Sequence, residues 1–480
     1  MNKTVSGLML TMTALALSLA PLFAADSKST RPNFIVILID DMGNGDIGPF
    51  GSKLNRTPHL DRMAAEGMKL TSFYSAPLCT ASRTQLMTGC YARRVSMPDV
   101  LFPDNGTGLG PEEKTIAELL KPQGYATMCI GKWHLGDQPE FLPTRRGFDH
   151  YVGLPYSNNM DGIGGKEDKK GRVTPPLPLL RDDKVVEAPT SQTKLTKLYT
   201  EEAVTFITKN KEKPFFLYLP HTAVHGPINP GPEFSGKSKN GSYGDWVEEV
   251  DWSVGVILDT LKTLKLSENT LVIFTSDNGG SGKNASNAPY RGKKGSTWEG
   301  GLRVSTIAWW PEKIKAASTC DAMLSEMDIL PTVVKLAGGK VPSERKIDGL
   351  DMWPQLSGQS KESPHEALFY FRWGTLEAVR SGPWKLAIAA QKDGEEKASE
   401  KESPEADKKE MRLYNLDSDI GEATNVADKN PEVVKRLQEL IAKIDSDIGG
   451  LDKNSNKKKV YPGVRESGKV ADPKPLIMSE

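Results

Sequence analysis

Leu78-Cys79-Thr80-Ala81-Ser82-Arg83 runs into Thr84-Gln85-Leu86-Met87-Thr88-Gly89, and the spacing sets a thiol and a guanidinium on one face of a helix start. A helix N-terminus offers unpaired N–H groups and partial positive charge, and Arg83 adds a planar fork that matches a tetrahedral oxyanion. Taken alone, the stretch reads equally well as a buried cysteine behind a capped helix with a surface arginine. Other residues add to it. Asp40-Asp41 follows the apolar run 33–39, and Asp277-Asn278 follows the apolar run 270–276. Four oxygen-bearing side chains at two buried strand ends suit a hard cation, calcium first and magnesium second. The histidines and Cys79 lack zinc spacing. Lys132 and His134 lie between Gly131 and Gly136 after a third strand, His225 follows a fourth, and Lys294 lies in a glycine-flanked basic loop. A metal, three cations (Arg83, Lys132, Lys294) and two proton shuttles (His134, His225) make a site for a multiply oxygenated anion on which charge develops during transfer. Phosphoryl and sulfuryl transfer both fit, and Cys79 is an awkward nucleophile for either.

These residues need a sheet with its carboxyl edge bare. Runs 33–39 and 270–276 are β-branched and continuously apolar, as expected of central strands buried on both faces. Residues 125–130, 214–219 and 304–309 read as further strands. Residues 57–67, 194–209 and 243–264 read as helices, so the alternation predicts an open α/β sheet with ligands at its carboxyl ends. Residues 156–189, rich in Gly, Pro, Asn and charge, read as a long surface loop over the site. Beyond a boundary near 358–364, short strands (367–372, 377–381, 384–388, 412–415) flank the charge-rich, low-complexity stretch 392–410, read as a mobile loop. Residues 431–444 read as an amphipathic helix, and 454 onward as a disordered tail. The expected organisation is therefore a leader at 1–25, a catalytic domain at 26–360, a C-terminal subdomain at 361–453 and a tail at 454–480.

The formal net charge of +0 over 480 residues gives no support for nucleic-acid or anionic-membrane binding. Residues 1–25 have a short positive start, an apolar core and a small-residue end, which predicts a secretory signal cleaved near Ala24 or Ala25 and a secreted or periplasmic protein. No later segment is apolar enough to insert in a membrane. The four cysteines, Cys79, Cys90, Cys129 and Cys320, show no disulfide framework, and Cys129 reads as a buried thiol.

Cys79-Thr80-Ala81-Ser82-Arg83 with Thr88-Gly89 resembles the signature of type I sulfatases, whose Cys-x-Pro/Ala-x-Arg cysteine is oxidised to formylglycine (3-oxoalanine). Asp40-Asp41, Gly131-Lys132-Trp133-His134-Leu135-Gly136, His225-Gly226-Pro227, Ser276-Asp277-Asn278-Gly279 and the loop from Gly292 to Gly301 match in order, so the resemblance spans nearly the whole chain. It implies an alkaline-phosphatase-like α/β sandwich: a large mixed central sheet flanked by helices, plus a smaller C-terminal antiparallel sheet with a helix. It implies that Asp40, Asp41, Asp277, Asn278 and an oxygen of modified residue 79 hold Ca²⁺, and that the hydrated aldehyde at 79 attacks sulfur. Arg83 would steady that aldehyde. Lys132, Lys294 and His225 would grip the sulfate, His225 or Lys294 would protonate the leaving alcohol, and His134 would take the proton whose loss expels sulfate. Ala81 departs from the commoner proline and points to a radical-type maturation enzyme as partner. Gly153-Leu154-Pro155-Tyr156-Ser157-Asn158 resembles arylsulfatase A and galactosamine-6-sulfatase relatives, which favours a sulfated sugar over an aryl sulfate. The competing readings are a phosphoester or phosphonate hydrolase on the same scaffold and a non-catalytic carbohydrate-binding relative.

Overall fold

The structure is a computed structural model and describes residue 1 and residues 31–162, 175–392, 411–451 and 460–478. The expected leader, apart from residue 1, most of the charge-rich stretch and part of the expected tail lie outside these residues. Ten strands form one mixed sheet in the order Ser318–Cys320, Met68–Leu70, Thr306–Trp309, Thr270–Ser276, Asn33–Ile39, Phe215–Pro220, Ala126–Ile130, His150–Gly153, Leu179–Arg181 and Lys184–Glu187. The Asn33–Ile39 strand lies at its centre, parallel to Thr270–Ser276 on one side and Phe215–Pro220 on the other.

All seven residues of that strand are buried, and period-2 geometry explains the unbroken apolar run. Phe34, Val36 and Leu38 pack under the Cys79–Thr88 and Ile329–Leu336 helices, while Ile35, Ile37 and Ile39 pack under Pro58–Glu66, Leu195–Lys209 and Gly241–Thr263. Helices thus cover both faces, so the carboxyl edge is left to the loops.

A second, four-stranded antiparallel sheet (Leu368–Arg372, Thr375–Ser381, Trp384–Ala387, Arg412–Asn415) carries the Pro431–Ile448 helix. Leu437, Leu440, Ile441, Ile444 and Ile448 from that helix share a core with the sheet and with Tyr74, Trp298 and Met327 of the main body. The mixed central sheet plus small antiparallel sheet is the expected architecture.

Two expectations need correction. The loop read at 156–189 contains the edge strands Leu179–Arg181 and Lys184–Glu187, whose short length kept them below any periodic signal. The tail expected from 454 is not loose over 460–478. Tyr461 is buried, Arg465 donates its backbone N–H to the Arg94 carbonyl (2.6 Å) and pairs with Glu113, and Gly468–Lys469 forms a strand with Thr107–Gly108. Its anchors are ion pairs and backbone bonds to residues distant in sequence. All four cysteines are buried free thiols. No described helix is long and apolar enough to cross a membrane.

Candidate active site

The carboxyl ends of the parallel strands are stitched together past their ladders. Asp277 N–H donates to the Ile39 carbonyl (2.9 Å), Asp40 N–H to Ala223 (2.8 Å), and Lys132 N–H to Pro220 (2.8 Å). At Gly131 (φ +124°) a Cβ would stand 1.8 Å from the Pro220 oxygen, so only glycine lets this strand end approach its neighbour. Asp41 (φ 63°) and His134 (φ 60°) adopt the left-handed region, which costs non-glycine residues about 1–3 kcal/mol each and marks a tightly constrained edge.

Onto this edge the chain brings Asp40, Asp41, Cys79, Arg83, Lys132, His134, His225, Asp277, Asn278 and Lys294, every one of them buried. Cys79 is the first residue of its helix. Burial pushes its thiol pKa up, partly offset by Lys132 and Lys294 and reinforced by Asp40 and Asp277, so all four charges act on the sulfur. Arg83 donates from Nη2 to Asp277 Oδ2 (2.8 Å) and from Nη1 to the Lys132 carbonyl (2.6 Å), and lies 3.4 Å from Asp40. Burial opposes the Arg83 charge, but Asp277 and Asp40 outweigh it and the guanidinium stays protonated. Lys132 Nζ donates to Asp40 Oδ2 (2.6 Å) and Ser157 Oγ (3.1 Å), and Lys294 Nζ lies 2.8 Å from Asp41 Oδ1.

The carboxylates divide by company. Burial alone would raise the Asp40 pKa, yet Lys132, His225, Arg83 and Lys294 hold it well below the usual carboxylate range. Asp277 is pushed up to about 7 by burial and by the Asp40 charge. Burial, then Lys132, hold His134 well below its ordinary value, so its ring is neutral. His134 Nε2 is 2.9 Å from the Leu101 carbonyl and so carries the hydrogen, while Nδ1 has no hydrogen-bond partner.

A hard cation fits these donors. Asp40 Oδ1 and Asn278 Oδ1 are buried and accept no hydrogen bond from any described residue, an expensive state for acceptors unless something binds them. Ligand atoms of Asp40, Asp41 and His225 lie within 4.8 Å of one another, and Asn278 Nδ2 donates to Asp41 Oδ1 (2.8 Å), so the amide oxygen points elsewhere. Three carboxylates and one amide oxygen are an oxygen set of the calcium kind.

Two residues outside the expected set join the site. Ser157 receives the Lys132 ammonium, and Asn158 meets His225 Nδ1 at 3.0 Å. The sequence signal for both was the Gly153–Asn158 stretch, whose resemblance to arylsulfatase A and galactosamine-6-sulfatase relatives bore on substrate choice and not on these two side chains.

Comparison with known proteins finds relatives over most of the chain. The sulfatase family profile matches residues 32–339, and that for the C-terminal region of aryl-sulfatase matches 363–468. The chain is 41% identical over 401 residues to canine (Canis lupus familiaris) N-acetylgalactosamine-6-sulfatase, covering 77% of this chain and 74% of that protein. It is 38% identical over 439 residues to human steryl-sulfatase, covering 75% of each. Among solved structures, Ps i-CgsB in complex with k-i-k-neocarrahexaose superposes with a TM-score of 0.73 at 32% identity, covering 86% of this chain and 92% of that one. With a sulfatase profile over most of its length and sulfatase relatives at this identity, the chain belongs to the sulfatase family and is a sulfuric ester hydrolase.

Proposed function

We propose that the protein removes sulfate from a sulfated carbohydrate at the carboxyl edge of its central sheet, with Cys79, once oxidised to formylglycine, as the nucleophilic position. The observation that carries this reading is Cys79 buried at a helix N-terminus within the fields of Lys132, Lys294, Asp40 and Asp277. Formylglycine supplies a hydrated aldehyde, a hydroxyl nucleophile that a thiol is not. Ca²⁺, or less favourably Mg²⁺, held by Asp40, Asp41, Asp277 and Asn278 supplies positive charge to the anionic oxygens.

The chain's own groups do the rest. Arg83, fixed by Asp277 and the Lys132 carbonyl, orients residue 79 one helical turn away. Lys132 and Lys294 are steadied by Asp40 and Asp41, and their remaining N–H groups grip sulfate oxygens. His225 protonates the alcohol as it leaves. His134 is neutral with its hydrogen on Nε2, so Nδ1 is the nitrogen that accepts a proton when residue 79 is restored. Burial of each of these groups away from water strengthens their interactions.

A sugar substrate is favoured because the canine relative is named for a sulfated amino sugar and the solved neighbour is a complex with k-i-k-neocarrahexaose. Ala81 points to a radical-type maturation enzyme as the partner that oxidises Cys79, and the leader-like residues 1–25 point to a secreted or periplasmic location. The test is the mass of tryptic peptide 70–83 after co-expression with such an enzyme. Formylglycine at position 79, with sulfate esters turned over far faster than matched phosphate esters, is the expected result. Full activity with an unmodified cysteine overturns the reading.

A further inference from the structure

His225 has two ring nitrogens and only one can face the substrate. Nδ1 lies 3.0 Å from Asn158 Oδ1 and 2.7 Å from the Gly226 carbonyl, and Nε2 points toward Asp41, 3.8 Å from Oδ2. The Asn158 amide has its orientation fixed by its surroundings. Its Nδ2 is within hydrogen-bond distance of the Gln192 Oε1 (3.1 Å), the His225 carbonyl (3.2 Å) and the Pro227 carbonyl (3.4 Å), all acceptors, so Oδ1 must be the atom that meets the imidazole. Gln192 is locked in turn: its Nε2 donates to the Asn158 carbonyl (3.1 Å) and its Oε1 also accepts from Asn229 Nδ2 (3.0 Å). Asn158 itself is fully buried. With two oxygens at Nδ1, that nitrogen carries a hydrogen in every protonation state, and the exchangeable proton is confined to Nε2.

We infer that Asn158 is a positioning residue that fixes the tautomer and ring plane of His225, so that Nε2 is the nitrogen from which His225 gives a proton to the departing alcohol. In that step the bond from sulfur to the ester oxygen breaks with its electron pair going to oxygen, the Nε2–H bond breaks, and the new O–H bond forms. His225 is left neutral with its hydrogen on Nδ1, still held by Asn158. Carboxylate or carbonyl partners on the far nitrogen of a working histidine commonly set its tautomer, and here an amide wired to two further amides does so. The inference rests on the assignment of His225 to leaving-group protonation made above.

The experiment measures kcat/KM for the matured, calcium-loaded enzyme on aryl sulfates of rising leaving-group pKa, from 4-nitrophenyl to phenyl sulfate, and on a sugar sulfate. General acid help is worth most where the leaving group is poorest. Asn158→Leu is expected to lose about 10²-fold on phenyl and sugar sulfates and less than about 3-fold on 4-nitrophenyl sulfate, mostly in kcat. Asn158→Asp keeps the acceptor at Nδ1 but sets its second oxygen against the three acceptors that hold Nδ2, so it should recover part of the loss on phenyl and sugar sulfates. Gln192→Leu, at a half-buried position, should give the same pattern more weakly and serves if Asn158→Leu melts at a much lower temperature. An equal loss on every ester, or no loss, overturns the inference. His225→Ala separates this from the wider reading. Strong leaving-group dependence there, with none in Asn158→Leu, removes only the positioning role; a loss in His225→Ala that ignores the leaving group removes His225 as the acid.

Discussion

Two groups of buried charges are set into this protein, one at the sheet edge and one where the main body meets the C-terminal sheet. In the second, Glu299 Oε1 accepts from Tyr370 Oη (2.9 Å) and Lys385 Nζ (3.1 Å), and Oε2 accepts from Tyr74 Oη (2.5 Å) and Arg303 Nη1 (3.4 Å). Lys385, also fully buried, donates to the Thr297 carbonyl (2.8 Å) and pairs with Glu422 (2.6 Å). The sheet-edge group is charged as well but leaves Asp40 Oδ1 and Asn278 Oδ1 without donors among the described residues. Burial and charge are common to both, so neither marks function. What separates them is the surplus of oxygen acceptors on ionised or amide groups. Two acids are partial exceptions: Glu326 has both oxygens unbonded, and Glu422 Oε1 makes no hydrogen bond among the described residues although Lys385 lies 2.6 Å away, but burial pushes the pKa of both up, which favours the neutral acid over a charged ligand. A closed network holds the molecule together, and an open one waits for a ligand.

Substitutions should separate the two groups cleanly. Cys79→Ala is expected to cost about 10⁴-fold or more in turnover of a sulfate ester while leaving the melting temperature within a few degrees of the parent. Near-normal activity would break the contrast outright. Lys385→Met does the reverse. It strands Glu299 and Glu422 in the interior and should lower the unfolding free energy by about 3–5 kcal/mol in urea titration, with kcat of the folded fraction nearly unchanged. A chelator should reduce activity by about 100-fold, restored by Ca²⁺ better than by Mg²⁺, and the Lys385→Met protein should respond by the same factor.

The smallest effect is on acid stability. Burial works against the Glu299 charge, but Lys385, Arg303 and Arg380 hold its pKa down at about 2, against 4.5 for an ordinary glutamate. A depressed folded-state pKa gives stability that is present above 4.5 and disappears as pH falls toward 2, roughly 3 kcal/mol over the whole window. Unfolding free energy should therefore fall with pH across that window more steeply in the parent than in Glu299→Gln. Equal slopes would show that the network does not depend on this charge.

The two groups were also unequally legible in the sequence. Asp40, Asp41, Asp277 and Asn278 stood out because each pair interrupts an apolar run at a strand end, a change of composition visible within ten residues. The architecture was legible for the same reason, since Asn33–Ile39 and Thr270–Ser276 can only be doubly covered strands. The roles of Ser157 and Asn158 were not, because a serine and an asparagine after a short strand are ordinary loop residues until the fold sets them against Lys132 and His225. Glu299 and Lys385 gave no signal at all. Their pairing joins the first residue of the short Glu299–Leu302 helix to a strand of another sheet, and no local pattern encodes a partner that far along the chain.

The strand Gly468–Lys469 lies on Thr107–Gly108, Val470 N–H donates to the Gly106 carbonyl, and Lys474 and Gln138 exchange two hydrogen bonds. Together with the Arg465 N–H to the Arg94 carbonyl, these contacts bracket the segment whose Leu101 carbonyl holds His134. The brace behind His134 therefore comes from a segment more than 150 residues beyond Lys294, the site residue furthest along the chain. A chain can thus fold its sheet and gather its ligands while residues 460–478 are undocked and the histidine is unbraced, so activity would follow the docking of this segment rather than the folding of the sheet.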